Sequence, residues 1–290
     1  MTLRNTLISL VCVACSGGMN VSEAASPSGE DREIRVFVSI VPQMYLVERI
    51  GGEIVQVQAL VPRNQDPHTF EVAPRRVMDL ARAQLYLTIG MPFEVRLKEK
   101  LRRVSEHLRF VDITSGIAGP DETHGHSHDA DPHVWLSPPL LRVLAENTAA
   151  ALIEADPSRA EGYRERLTEF VRDIEEVHSR IGAILEPFRG SSFYVFHPDL
   201  GWFAEAYGLE QRAIQAEGKA PAPRQLHDLI RRAKADGART IFVQPQFDTS
   251  SAEAVAAAVG AECIPFDPME KDILRNLDRF VRVLSETLSR

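Results

Sequence analysis

Four residues of this sequence carry donor atoms suited to a shared metal ion. They are His68 in VPRNQDPHTFE, His133 in DPHVWLSP, His197 in SSFYVFHP and Asp267 in ECIPFDP. Three imidazoles and a carboxylate suit a tetrahedral Zn2+, with Zn–N and Zn–O distances of about 2.0–2.2 Å. Each candidate adjoins a proline: Pro67, Pro132, Pro198 or Pro268. Proline fixes its own φ and restricts the residue before it, so these loops should be stiff. A donor already in place need not be ordered when the metal arrives. Asp66 and Asp131 each precede a histidine by two residues and are candidates to hold it in position. A catalytic zinc would need an open position for water and a nearby base. Four ligands close the shell and no HExxH-type signature is present, so an enzyme is not expected.

The elements that must position these groups can be read from the alternation of patterns. From Glu33 onward, apolar β-branched runs (REIRVFVSI, IVQVQALV, QLYLTIG, RFVDIT) alternate with helical segments such as PQMYLVERIGG, PRRVMDLARA and PPLLRVLAENTAAALIEA. The second half repeats the rhythm with SSFYVFH, QRAIQA, RTIFVQP and ECIPFD as strands and helices beginning near Leu200, Arg224, Ser251 and Met269. Such alternation predicts an α/β fold with mainly parallel sheets. Between the halves the rhythm breaks. Asp156 reads as an N-cap with Pro157 at N1, and Tyr163, Leu167, Phe170, Val171, Ile174, Val177, Ile181, Ile184, Leu185 and Phe188 recur at steps of three and four. This predicts one amphipathic helix of about 30 residues, about 45 Å long. The expected organisation is an N-terminal lobe at 33–155, a rigid linking helix at 156–188 and a C-terminal lobe at 189–290. All four metal-ligand candidates then fall beyond the carboxyl ends of parallel strands, where open α/β sheets place their ligands. A lone histidine at a strand end is ordinarily a surface or half-buried residue. Four candidates at equivalent positions, two per lobe, point to one site in the cleft between lobes.

Bulk properties exclude some classes of function. A formal charge of −8 over 290 residues leaves no basic face for nucleic acid. At the N-terminus, Arg4 precedes the apolar run LISLVCVAC, too short to span a bilayer, followed by small and polar residues with cleavage options around Ala24 and Ala25. This layout predicts a signal peptide at 1–25 and a flexible mature start at 26–32, hence export to the periplasm. Lipid attachment at Cys15 is the alternative. After cleavage of the leader Cys263 stands alone, which excludes an internal disulfide framework.

The motifs DPHTFE, DPHVWLSP, VFHPDLGWFAEAYGL, GKAPAPRQL and FVQPQFDTSSAEAVAAAVGAECIPFDPM resemble the cluster A-I (class III) metal-binding solute-binding proteins of bacterial ABC importers, especially the zinc-specific branch. The resemblance runs from about Arg35 to the end of the chain. It implies two (β/α) lobes joined by a rigid helix, and one transition-metal site with His68, His133, His197 and Asp267 as ligands. Manganese-specific relatives usually carry glutamate at the position of His197, and imidazole suits Zn2+ better than Mn2+. The resemblance therefore implies Zn2+ as the transported ion and an ABC permease with its ATPase as partner, with the chain itself a monomer. A manganese- or iron-binding protein of the same family, a periplasmic zinc buffer and an adhesin are the alternatives.

Zinc-branch members also tend to carry a histidine- and acid-rich loop before the second ligand. Here it is short, at 123–129, and contributes His124, His126 and His128 as an auxiliary, weaker metal-gathering segment. Gln244, in FVQPQF, stands where the family commonly has glutamate, so a buried charge is missing near the site. Arg224 belongs to the family pattern and reads as a helix-start residue. His107, His178 and His227 read as structural residues on helices.

Overall fold

The computed structural model describes residues 33–117, 131–215 and 222–289. The expected signal peptide, the 26–32 segment, Cys15 and the histidine loop at 123–129 lie outside the described residues. Two four-stranded parallel sheets are built in the same way. In the first, β1 (Ile34–Val38) and β3 (Leu85–Thr88) are central, flanked by β2 (Val55–Ala59) and β4 (Arg109–Asp112), in the order β2-β1-β3-β4. In the second, β5 (Ser192–Val195) and β7 (Thr240–Val243) are central, flanked by β6 (Glu210–Ala213) and β8 (Glu262–Pro265). The patterning explains the order. Central strands are continuous apolar runs buried on both faces, such as LYLT and TIFV, whereas edge strand β2 alternates, with Gln56 and Gln58 exposed. Each sheet reverses strand order at its centre, β1/β3 and β5/β7, which opens a crevice at the carboxyl ends.

Helices cover the sheets: α1 (Val41–Gly51), α2 (Pro74–Leu80), α3 (Pro92–Leu101) and α4 (Pro138–Ala155) in the first half, then α6 (Gly201–Tyr207), α7 (Pro223–Ala235), α8 (Ser250–Val259) and α9 (Ile273–Leu288) in the second. Helix α3 is absent from the expectations above, although Phe93, Leu97 and Leu101 form a stripe at steps of four behind Pro92 at its first turn. The last helix begins at Ile273 rather than Met269. Asp272 caps it, its Oδ1 accepting from the Arg275 N–H at 3.1 Å, while the residues before it form the turn that carries Asp267. No helix among the described residues is long and apolar enough to cross a membrane.

Between the halves runs α5 (Ala160–Leu185), 26 residues long, with a 3-10 turn at each end (Pro157–Arg159 and Glu186–Phe188). Asp156 stands at the N-cap of the first of these turns with Pro157 in its first turn, as expected, while Arg159 takes that place at α5 itself. The Asp156 carboxylate accepts from the Arg159 guanidinium at 2.6 Å and the Tyr163 hydroxyl at 3.1 Å, closing the turn that leads into the helix. Tyr163, Phe170, Ile174, Val177, Ile181 and Leu185 form the buried stripe. One continuous apolar cluster extends from β1 and α1 through α4 and α5 to β5, α6 and α9. Smaller clusters around Tyr86 and Leu101 and around Tyr194 and Val255 fill the outer sides. The helix is therefore embedded in a core that both sheets share, and residues 33–290 form one compact unit. Phe170, fully buried and edge-on to Tyr45 with ring centroids 5.5 Å apart, sits in this shared core. Its replacement by alanine removes apolar burial and leaves a cavity, and should cost about 3–5 kcal/mol. Chemical denaturation would read this as a lower midpoint; a loss under about 1 kcal/mol would show that the helix is not held by the core.

Candidate metal centre

His68 follows β2. The Leu60 and Val61 N–H groups still bond to Val38 and Ser39, after which the chain turns at Pro62. Asp66 fixes the next turn, its Oδ1 accepting the His68 N–H at 2.9 Å and its Oδ2 the Thr69 hydroxyl at 2.9 Å. His133 precedes a 3-10 turn whose three residues, Val134, Trp135 and Leu136, are all buried and run into α4. His197 follows β5, and its N–H donates to Gln244 Oε1 at 3.0 Å.

The three imidazoles converge. His68 Nε2 lies 3.2 Å from His133 Nε2 and 3.2 Å from His197 Nε2, and one ligand atom from each ring lies within 4.8 Å of the other two. Ring centroids form a nearly equilateral triangle of 5.0–5.2 Å. A zinc ion with Zn–N of about 2.0–2.1 Å in tetrahedral geometry separates neighbouring nitrogens by about 3.3–3.4 Å. The two spacings from His68 are close to that edge.

The other side of each ring explains the convergence. His133 Nδ1 meets Asp131 Oδ1 at 2.6 Å, and the same oxygen accepts the His133 backbone N–H at 3.0 Å. His197 Nδ1 meets Gln215 Oε1 at 2.9 Å. Each partner places the ring proton on Nδ1 and leaves Nε2 as a bare lone pair facing the others. With Nε2 of His133 and His197 left as acceptors, His68 Nε2, 3.2 Å from each, either donates its proton to one of them or shares a cation with both. Thus Asp131 holds a ring, whereas Asp66 holds the His68 backbone N–H and the Thr69 hydroxyl.

Titration follows from the same contacts. Burial lowers the His68 pKa, and the neighbouring His133 lowers it further. Burial, reinforced by His133, pushes His197 down to about 3 despite its bond to Gln215. Burial also opposes the charge on His133, but the Asp131 carboxylate outweighs it and raises that pKa. In the absence of metal, His133 is the ring that takes up a proton first as pH falls. Its raised pKa stabilises the fold below the unfolded value and that contribution is lost as pH rises through the folded value. The depressed His197 works oppositely, costing stability as pH falls from about 6.5 toward about 3. Zinc must displace the Nε2 proton of protonated His133, so affinity should drop as pH falls through its raised pKa, with a proton released on binding at the lower pH. Titration calorimetry in buffers of different ionisation enthalpy measures the proton count; no release at low pH would show that His133 is not a ligand.

Asp267 is not brought into this group. Its Oδ2 accepts from Arg63 Nε at 2.6 Å, and its Oδ1 from Gln246 Nε2 at 2.7 Å and the Met269 N–H at 2.9 Å. The carboxylate expected as a fourth ligand is thus engaged by a guanidinium from the opposite lobe. A shell of three imidazoles keeps an open position, so a closed coordination sphere does not separate this site from a hydrolytic zinc. His107 lies in a turn after α3 rather than on a helix, His178 bonds Tyr207 Oη through Nδ1 at 2.9 Å, and His227 and Arg224 lie on the exposed face of α7.

A family model described as the periplasmic component A of zinc-uptake complexes, ZnuA, matches residues 36–290. The chain belongs to the ZnuA family. This is a family of substrate-binding proteins that work with ABC importers. A crystal structure of ZnuA is 36% identical, covering 88% of this chain and 99% of its own, with a TM-score of 0.83. A ZnuA deletion mutant with zinc bound is also 36% identical, with a TM-score of 0.82 over 89% of this chain and 99% of its own. The "High-affinity zinc uptake system protein ZnuA" of Bacillus subtilis (strain 168) is 24% identical over 272 residues, 89% of this chain and 85% of its own.

In this ZnuA-family chain several residues near the rings escape sequence reasoning. Gln215 ends the loop edge of β6, the same topological position as the ligands, but glutamine is not a ligand type and so carries no signal. Phe247 stacks on His197 with ring centroids 4.6 Å apart. Gln244 Nε2 donates to both oxygens of Asp199 at 3.0 Å, while its Oε1 holds the His197 N–H. A glutamate at 244 would oppose the Asp199 carboxylate; the amide accepts on one side and donates on the other. The buried negative charge sits on Asp199 instead. Burial raises its pKa to about 7, against the charge of His133 and the Gln244 bond.

Proposed function

We propose that the protein captures Zn2+ in the periplasm through His68, His133 and His197 and passes it to the permease of an ABC importer, whose ATPase drives uptake. The convergence of three imidazole Nε2 atoms, with His68 3.2 Å from each of the other two, is the observation that carries this reading. The donor set favours zinc over manganese or iron, because imidazole suits a borderline cation and no carboxylate joins the group among the described residues. A fourth position filled by water suits cargo that must later leave. Residues 1–25 direct export, and lobes at 33–155 and 189–290 flank the 156–188 helix of a monomeric carrier. His124, His126 and His128, alternating with Gly125 and Ser127 in the sequence, gather zinc weakly from solvent. The names of the ZnuA relatives, one of them solved with zinc, support this reading.

Cells lacking the gene should grow poorly under zinc chelation. The intact gene should restore growth, and a version with His68, His133 and His197 all replaced by alanine should not. Restoration by the triple variant would refute zinc capture at this site.

A further inference from the structure

Asp267 is held by side chains that arrive from both lobes. Arg63 lies five residues before His68 on the same loop and reaches across the cleft. Its Nε donates to Asp267 Oδ2 and its Nη2 to Glu270 Oε2, both at 2.6 Å. Gln246 completes the clamp, its Nε2 donating to Asp267 Oδ1 at 2.7 Å and to the Arg63 carbonyl at 2.8 Å. Gln246 Oε1 is buried without a hydrogen-bond partner among the described residues. An orphaned oxygen is unfavourable, and turning the amide over would point that oxygen at two acceptors instead. The amide is thus oriented for the clamp at the expense of its own carbonyl. Both oxygens of Asp267 are therefore engaged, on a residue that follows a strand at the same carboxyl end as the histidines.

We propose that Arg63, assisted by Gln246, is a specificity-determining residue that withholds Asp267 from the metal. The proposal rests on zinc capture by the three histidines and extends it to the choice of cation. A carboxylate added to three imidazoles supplies the hard oxygen donor and negative charge that Mn2+ favours; engaged by a guanidinium, it supplies neither. Because Arg63 also ties the His68 loop to the opposite lobe, its loss weakens the site for every metal. Absolute affinity is therefore uninformative, and the ratio between metals is the diagnostic quantity.

The test compares wild type, Arg63→Ala, Asp267→Asn and the double variant by calorimetric titration with Zn2+ and with Mn2+, and by zinc-edge X-ray absorption to count oxygen donors. Gln246→Met serves as a second way to loosen the clamp without touching Arg63. Asp267→Asn alone should leave the zinc affinity within about threefold of wild type. Arg63→Ala should shift the Mn2+/Zn2+ affinity ratio toward manganese by about tenfold, Gln246→Met in the same direction by less, and the double variant should return to the wild-type ratio. X-ray absorption should find a carboxylate oxygen on zinc in Arg63→Ala only. An unchanged ratio in Arg63→Ala, or a shift that persists in the double variant, would overturn the proposal while leaving zinc capture intact. A large loss of zinc affinity in Asp267→Asn alone would overturn it too, showing that Asp267 already coordinates. If the triple histidine variant binds zinc like wild type, the functional reading fails and this proposal with it.

Discussion

Replacing His133 with alanine should lower zinc affinity by more than about 100-fold. Loss of a residue that merely orients a metal-bound histidine typically costs about 10- to 100-fold, and His133 is itself a donor. Its ring is buried, backed by Asp131 at 2.6 Å and flanked by Trp135. Water would have to take the vacated position in a pocket shaped for a ring. Asp131→Asn should fall between the variant and wild type, because the amide still meets Nδ1 but carries no charge. The measurement is a competitive titration against a chromogenic chelator. It is best made in a chain lacking residues 123–127, so that weak binding by the loop does not mask the loss. The loop deletion alone should leave the tight site unchanged. An affinity for His133→Ala within tenfold of wild type would remove this ring from the shell.

Zinc at a thousandfold excess over its Kd should stabilise the fold by about 4 kcal/mol and raise the melting temperature by about 10 °C. The ion binds only where His68 from one sheet's loops meets His197 from the other, an arrangement the unfolded chain lacks. Manganese should raise the temperature much less, given imidazole donors. Stabilisation should occur without a large change in overall dimensions, because α5 is packed into the shared core along its whole stripe rather than standing as a free hinge. Differential scanning fluorimetry and small-angle scattering of the two states measure both. A melting temperature that ignores zinc would count against the site, and a large change in radius of gyration against the rigid core.

The topology of the site is legible in the sequence because it follows from local rules. Apolar runs of strand length, helical stripes between them and histidines after strands place His68, His133 and His197 at carboxyl ends without any knowledge of packing. What escapes is what depends on distant partners. Asp267 has the same signature as the histidines, but its occupancy is decided by Arg63, 204 residues earlier. The two Asp-Pro-His motifs read alike, yet only Asp131 turns toward its ring, since χ angles are set by surroundings rather than by spacing. Helix α3 was readable from Phe93, Leu97 and Leu101; its short apolar stripe among charged residues is simply easy to pass over. The shared core could not be read at all, because periodicity shows which face of α5 is apolar but not that both sheets contribute to what covers it.

That shared core makes neither half of the chain a protein in its own right. A fragment ending before α5 would expose Leu141, Leu144 and Leu152 on α4, and a fragment starting after it would expose Phe203 and Phe280. Both would be expected to aggregate when expressed alone. The intact chain should unfold in a single cooperative step despite its two sheets. Damage at any point along the central helix would then be felt at the histidines, however far away it lies in sequence.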